Sequence, residues 1–150
     1  MTYNSEQDTI AHIQQVRAFL DEITDNLWLR KRLHDYSKLE EPEKSVYDEF
    51  TPKLRGSTYG GEEYKGFLRD MGEALQHHYQ GNRHHPEHYP DGINGMSLLD
   101  LVEMLADWKA AGMRHADGDI QKSLYINRKR FGMSDQLFEI FKNTVRELGW

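Results

Sequence analysis

Residues 97–108 read SLLDLVEMLADW, and this stretch predicts a buried helix. Its apolar side chains cover most of the helical circumference, which is typical of a helix that packs inside a domain. Three carboxylates, Asp100, Glu103 and Asp107, are spaced three and four residues apart and therefore share one narrow stripe. On a buried helix such carboxylates must be paired, hydrogen-bonded or bound to a metal. The alternative interpretation is that the stripe is the solvent-facing edge of the helix.

Helical patterning continues outward from this stretch. Apolar residues recur at spacings of three and four, and no segment alternates with the period of two expected of a half-buried strand. Residues 51–61 and 81–95 are rich in Gly and Pro and are predicted to be loops. The sequence therefore predicts one all-α domain of about six helices. The predicted helices cover residues 8–25, a segment with His34 and Asp35, a short piece at 45–50, and then 62–79, 97–112, 118–130 and a last one from Ser134.

Composition limits the class of protein. The 150 residues include no cysteine, which excludes disulfides, thiolate metal ligands and cysteine nucleophiles. The net charge of -6 disfavours binding to long nucleic acids. No apolar run approaches the roughly 20 residues that span a bilayer, and the polar N-terminus does not resemble a signal peptide. We expect a soluble cytoplasmic protein that acts on neither membranes nor long nucleic acids. The apolar last helix would permit a homodimer, although core packing explains it equally well.

Histidine is concentrated in one part of the chain. Seven of the eight histidines lie between His12 and His88, and five of them fall within residues 77–88. Together with the His34-Asp35 pair and Asp107 they offer imidazole and carboxylate ligands to a divalent metal. Such sets suit Mn, Fe, Co, Ni or Zn, and Mg where carboxylates dominate. His12 lies at the edge of the apolar stripe of the first helix and can face inward. The alternative is a surface tract that binds metal adventitiously.

Within this tract, the adjacent residues His77 and His78 are not equivalent as candidate metal ligands. Consecutive helical residues point about 100° apart, so they cannot easily bind the same ion. We take His78 as the ligand because the loop follows it directly. His84, His85 and His88 lie in that loop, where the backbone is free to bring them together.

Lys38 follows His34 by one helical turn and lies on the same predicted helix face. A lysine there could hold a phosphate oxygen over a metal bound by His34. It could also simply pair with Asp35 or Glu41, or extend into solvent.

Taken in order, these residues form a pattern. His12, His34-Asp35, His77 or His78, His84 or His85, and Asp107 resemble the H…HD…H…H…D pattern of the HD-domain superfamily, which comprises helical metal-dependent phosphohydrolases. The motifs HDxSK, NxHHPEH and EMxxDW are similar to those of a branch of this superfamily found in bacteria and phages. The resemblance covers roughly residues 12–108.

The resemblance implies a ligand set. His12, His34, Asp35 and Asp107 would hold one metal, and His78 with His84 or His85 would hold a second. Two-metal members usually separate the latter ligands by a whole helix, whereas only a few residues separate them here. One or two divalent ions per chain are therefore expected. Lys38 corresponds to the lysine that follows the HD pair in related phosphodiesterases.

The expected activity is metal-assisted hydrolysis of a small phosphate ester, with a nucleotide as the preferred substrate. Glu103, Glu87 or a pocket histidine could transfer protons, and the substrate-binding candidates are Lys38, Asn82, Arg83, Lys53 and Arg55. One alternative is a di-iron oxygenase of the same superfamily with a similar ligand set. Another is a non-enzymatic, His-rich module that binds a metal or a partner.

Overall fold

The computed structural model describes residues 3–114 and 118–150; His115, to which the sequence assigns no role, lies outside these ranges. All regular elements in the described ranges are helical, which confirms the predicted all-α class. The α-helices there are α1 (Glu6–Leu33), α2 (Glu43–Gly56), α3 (Glu62–Asp70), α4 (Gly72–Gly81), α5 (Leu98–Gly112), α6 (Ile120–Phe131) and α7 (Asp135–Glu147). Three 3₁₀ turns cover Tyr36–Leu39, Pro86–His88 and Gly92–Gly95. None of these helices is both long enough and apolar enough to cross a membrane.

The chain divides into two units, of which the first ends at His34. This unit consists essentially of α1, a single helix of 28 residues. The predicted break after residue 25 is wrong, because neither Gly nor Pro interrupts residues 6–33 and the helix therefore continues. Three basic residues, Arg30, Lys31 and Arg32, occupy its last turn, where they interact favourably with the helix dipole.

The second unit begins at Asp35 and contains the hydrophobic core. Helices α5, α6 and α7 pack together, and Met104, Leu124 and Val145 lie at their centre with at most 1% of their surface exposed. Helix α5 begins at the predicted capping box, in which Ser97 Oγ accepts from the Asp100 backbone and Asp100 Oδ2 accepts from the Ser97 backbone. Asp100 is fully buried and also accepts from the Tyr89 hydroxyl at 2.7 Å. The Asp100 carboxylate is therefore buried and hydrogen-bonded, and it does not lie on a solvent-facing edge of the helix.

Helices α2, α3 and α4 form the rest of the second unit, and α2 also packs against the turn Tyr36–Leu39. Two sequence predictions are wrong here. Helix α2 continues through Pro52 into the predicted loop, because Phe50 is buried and packs against Phe67 of α3. The predicted helix over 62–79 is split in two at Gly72, whose φ of +50° lies in the left-handed region that glycine adopts readily.

Candidate metal centre

Four side chains of the second unit form a cluster of potential metal ligands. Asp35, His78, His84 and His85 each offer one donor atom, and these atoms all lie within 4.8 Å of one another. His78 Nε2 is 2.9 Å from His85 Nε2 and 3.3 Å from Asp35 Oδ1, and His84 Nε2 is 3.4 Å from the same oxygen. Ligands about 2.0–2.2 Å from one ion are themselves about 3–4.4 Å apart. The spacing and the donor types of this cluster therefore suit a divalent transition metal.

Asp107 of α5 extends the cluster. Its carboxylate offers a donor atom within 4.8 Å of the donor atoms of Asp35 and His84. Asp35 and His84 therefore belong to two overlapping groups of donors, one rich in imidazole and one rich in carboxylate. This overlap leaves room for one ion with variable coordination or for two neighbouring ions.

A left-handed backbone conformation positions Asp35. Helix α1 ends at Leu33, and Asp35 adopts a left-handed conformation with φ of 56° before the turn Tyr36–Leu39 begins. Asp is one of the few residues other than glycine that tolerate this region. Asn82 ties the end of α4 to this turn, since its amide donates to the His78 carbonyl at 2.8 Å and to Ser37 Oγ at 3.0 Å. The Asn82 side chain thus connects the end of α4, which carries His78, to the turn that follows Asp35.

Two carboxylates contact the Nδ1 atoms of His78 and His84, on the opposite side of each ring from Asp35. Glu43 Oε2 is 2.9 Å from His78 Nδ1, and Glu103 Oε1 is 3.3 Å from His84 Nδ1. Each ring thus has Nδ1 facing a carboxylate and Nε2 facing Asp35. A carboxylate that accepts from Nδ1–H fixes the tautomer of the ring and makes Nε2 a better metal ligand. His78 and His84 are both only 1% exposed, so their orientation is fixed by these contacts.

The electrostatics favour ionised Asp35 and neutral His85, which are the forms that bind metals. Burial acts to raise the pKa of Asp35, but hydrogen bonds from His78 and His84 and the charge of Lys38 outweigh it and hold that pKa well below its usual range. Burial, together with repulsion from the rings of His84 and His78, lowers the pKa of His85 to about 2.

The low pKa of His85 predicts acid sensitivity of the metal-free protein. Between pH 6.5 and 2 the unfolded chain binds a proton at this residue that the folded chain does not, so acid favours unfolding. We expect His85 to account for a loss of about 2 kcal/mol in unfolding free energy between pH 7 and pH 5. Urea denaturation in EDTA at several pH values measures it. His85→Gln should make the pH dependence shallower, and equal slopes for the two proteins would contradict the prediction.

The remaining predicted ligands are His12 and His34, and the alternatives are His77 and His88. His12 is an exposed residue of α1, and His34 is a half-buried residue that follows the end of the same helix. His77 is 52% exposed, and its Nδ1 is 2.7 Å from Glu43 Oε1. His88 Nδ1 contacts the Tyr79 carbonyl at 3.1 Å.

The predicted phosphate-binding and acid–base residues are divided among several places. Lys53 is paired with Glu49 at 2.6 Å, Arg83 with Asp100 at 3.3 Å, and Glu87 with Arg130 at 2.6 Å. The Asn82 amide donates to the His78 carbonyl, and the Glu103 carboxylate contacts the His84 ring. Arg55 lines a surface cleft. Lys38, which was predicted to act in both catalysis and substrate binding, contacts Asp35 of the cluster, and Glu103 contacts His84. Glu87, the other predicted acid–base residue, forms an ion pair outside the cluster.

Lys38 and Tyr47 connect the cluster to that cleft, which has a volume of about 720 Å³. Lys38 Nζ is 2.6 Å from Asp35 Oδ2 and 4.8 Å from the centre of the Tyr47 ring. Tyr47 in turn packs edge-on against His78, with ring centroids 5.7 Å apart. Because Lys38 and Tyr47 both line the cleft, a ligand bound there would lie beside the potential metal ligands.

Glu43 is the main site residue that sequence reasoning missed. It belongs to the acidic run Glu40-Glu41-Pro42-Glu43, which looks like a solvated helix start, yet it is fully buried. Its partners His77 and His78 are 34 and 35 residues away, so no local spacing reveals the contact. The one general signal was that the second ring nitrogen of a metal-binding histidine usually donates to a carboxylate, a backbone carbonyl or water.

Comparison with known proteins identifies a family match. The model of a protein family described only as a family of unknown function covers residues 1–147. No curated protein and no solved structure matches the chain. Because the family match extends over nearly all of the sequence, the chain belongs to the family of unknown function DUF5662.

Proposed function

We propose that this protein is a metal-dependent phosphohydrolase that acts on a small phosphate ester, with a nucleotide as the preferred substrate. The observation that carries the proposal is the convergence of Asp35 Oδ1 with the Nε2 atoms of His78, His84 and His85 next to Lys38. A metal-binding module needs only the imidazoles and carboxylate. An enzyme for phosphate esters also needs a cation positioned for phosphate, and Lys38 provides one.

The donor set favours a particular class of metal. Three imidazoles and one carboxylate suit Zn, Mn, Fe, Co or Ni better than Ca or Mg, which prefer oxygen ligands. Glu43 and Glu103 support this preference because each places a carboxylate behind an imidazole. Asp107 would complete the coordination of the same ion or contribute to a second one.

The chain's own residues supply the remaining chemistry. When bound, the metal would provide a water of lowered pKa and polarise the phosphoryl group. Lys38 would donate to a phosphate oxygen, since its ammonium already lies between Asp35 and the cleft. Glu103 contacts His84 and is 13% exposed, so it could accept a proton through that ring. The resemblance of HDxSK, NxHHPEH and EMxxDW to HD-domain motifs supports the same reaction class.

The direct test is to measure metal content and phosphate release together. Purified protein is analysed for metals and then assayed on nucleotides and simple phosphate esters with Mn, Co, Ni, Zn or Mg added. We expect one or two equivalents of metal per chain and phosphate release that stops in EDTA and returns with metal. Stoichiometric iron with oxygen consumption and no phosphate release would replace the proposal with oxygenase chemistry. Bound metal without turnover of any ester would contradict the enzymatic assignment.

A further inference from the structure

The cleft beside the candidate metal centre carries excess positive charge. Its lining includes the cations Lys38, Arg55 and Arg114, and one carboxylate, Asp48. Asp48 is paired with Lys44 at 2.7 Å and Lys38 with Asp35 at 2.6 Å, so Arg55 and Arg114 account for the excess positive charge among the described lining residues. A volume of about 720 Å³ falls within the roughly 300–1,000 Å³ of pockets that bind small molecules. The cleft is therefore suited in size and charge to a small anion-bearing ligand.

The cations are placed in two parts of this cleft. Lys38 contacts Asp35 and so lies at the candidate metal centre. Arg55 and Arg114 instead line both this cleft and a second one of about 380 Å³, as Tyr59 does. Because Lys38 lines only the larger cleft, the two arginines lie in the region that the clefts share and Lys38 lies outside that region. A ligand whose reacting group contacts Lys38 could therefore reach the arginines only with another part of its structure.

Arg55 and Arg114 are the cations of the cleft whose side chains are exposed. Within residues 3–114 and 118–150, neither guanidinium group forms a hydrogen bond or an ion pair. Lys53, on the same helix as Arg55, is by contrast paired with Glu49 and does not line the cleft. Guanidinium groups bind phosphate through paired, parallel hydrogen bonds, which makes arginine well suited to this role.

An aromatic wall completes the cleft. Tyr59 and Tyr64 both line it, with ring centroids 5.2 Å apart in an edge-on arrangement. The Tyr64 side chain is neutral at physiological pH, as tyrosine ordinarily is, and burial raises the pKa of its hydroxyl further. Neutral aromatic rings next to cations are a common surface for a nucleobase or another flat group.

We propose that Arg55 and Arg114 form a second anion subsite, and that the substrate is therefore a nucleotide with at least two phosphate groups. One phosphate would lie at Lys38 beside the metal, and the other would bind the two arginines, with Tyr59 and Tyr64 contacting the rest of the ligand. This inference rests on the proposed function for the identity of the reacting group. The second subsite itself depends only on the cleft.

The test compares ligands that differ by one phosphate. Isothermal titration calorimetry measures binding of ADP and of AMP to the full chain in EDTA, so that no hydrolysis depletes the ligand. We expect ADP to bind about tenfold tighter than AMP, as an added charge-assisted contact would give. Arg55→Gln and Arg114→Gln should each weaken ADP binding by about tenfold and AMP binding by less than about threefold. Lys53→Gln is the matched control, since it removes an exposed lysine outside the cleft.

Each outcome has a distinct meaning. Equal affinity for ADP and AMP in the wild type, or unchanged ADP binding in both arginine variants, would overturn the second subsite. An equal loss of AMP and ADP binding would also overturn it, because the arginines would then bind the only phosphate. Since binding is measured without turnover, an inactive protein that shows the expected pattern would refute the proposed function alone. An enzyme that hydrolyses esters but shows no preference for the second phosphate would refute only the subsite.

Discussion

Asp35→Asn is expected to remove metal from the candidate centre and to lower kcat/KM for phosphate release by on the order of 100-fold or more. Asp35 Oδ1 faces the Nε2 atoms of His78 and His84, and Oδ2 accepts from Lys38. The same carboxylate belongs to both groups of donor atoms. Asn keeps the shape and tolerates the left-handed backbone at this position, but it removes the charge that balances the metal. Elemental analysis and a phosphate-release assay on the same preparation measure both effects.

Asp48→Asn is the matched control for this experiment. Asp48 also carries a carboxylate and lines the cleft, but it is paired with Lys44 and is absent from both groups of donor atoms. Its replacement should leave metal content unchanged and alter activity by less than about threefold. A protein with Asp35→Asn that kept its full metal complement and activity would show that the HD pair is not the centre. Loss of activity with full metal retention would instead place Asp35 in substrate binding through Lys38.

The local pattern of the sequence was sufficient for the fold class. Capping at Ser97 and Ser134 and the apolar spacing of α5 and α7 depend on residues within one or two turns of each other, and both features are present in the structure. Helix ends were harder to predict. The continuation of α1 past residue 25 and of α2 past Pro52 depends on the absence of a strong breaker or on packing of Phe50, and tertiary contacts routinely override weak local signals.

The candidate site shows the same division between local and long-range information. Imidazole density within residues 77–88 pointed to the region that supplies three of the four clustered donors. The side chains that converge, Asp35, His78, His84, His85 and Asp107, are among those that the resemblance implied as ligands. Local spacing alone left the choice among the histidines open, because it depends on the backbone conformation of Asp35 and on the loop after α4. The participation of Glu43 and the placement of Arg114 in the cleft depend on contacts between distant segments. The spacing of residues along the sequence does not reveal such contacts.

Glu43→Gln is expected to weaken metal binding by about 10- to 100-fold even though Glu43 is not among the clustered donors. The fully buried carboxylate accepts from three groups: His77 Nδ1 at 2.7 Å, His78 Nδ1 at 2.9 Å and Ser37 Oγ at 3.0 Å. Gln has the same size but only one acceptor oxygen and no charge, so at least one donor loses its partner. The His78 ring is then free to change tautomer or rotate, and its Nε2 is a poorer ligand.

The stability and metal-affinity effects of this change can be separated. Leaving a buried donor without an acceptor costs about 1–3 kcal/mol, which urea denaturation in EDTA measures in the metal-free protein. Metal affinity is measured at a temperature where the variant is fully folded. A purely structural role would lower the unfolding free energy and leave the metal dissociation constant within about twofold of wild type. A positioning role would raise that constant in folded protein.

His77→Gln shows which imidazole is responsible. It removes the half-exposed partner of Glu43 and leaves the bond to His78 intact. If Glu43 acts by orienting His78, His77→Gln should bind metal nearly as tightly as wild type, whereas Glu43→Gln should not. Equal weakening in both variants would mean that the charge of the whole cluster, rather than the orientation of His78, determines affinity. The comparison therefore tests whether the Glu43 carboxylate, which local sequence patterns do not reveal, controls the metal affinity of the His78 imidazole, which they do reveal.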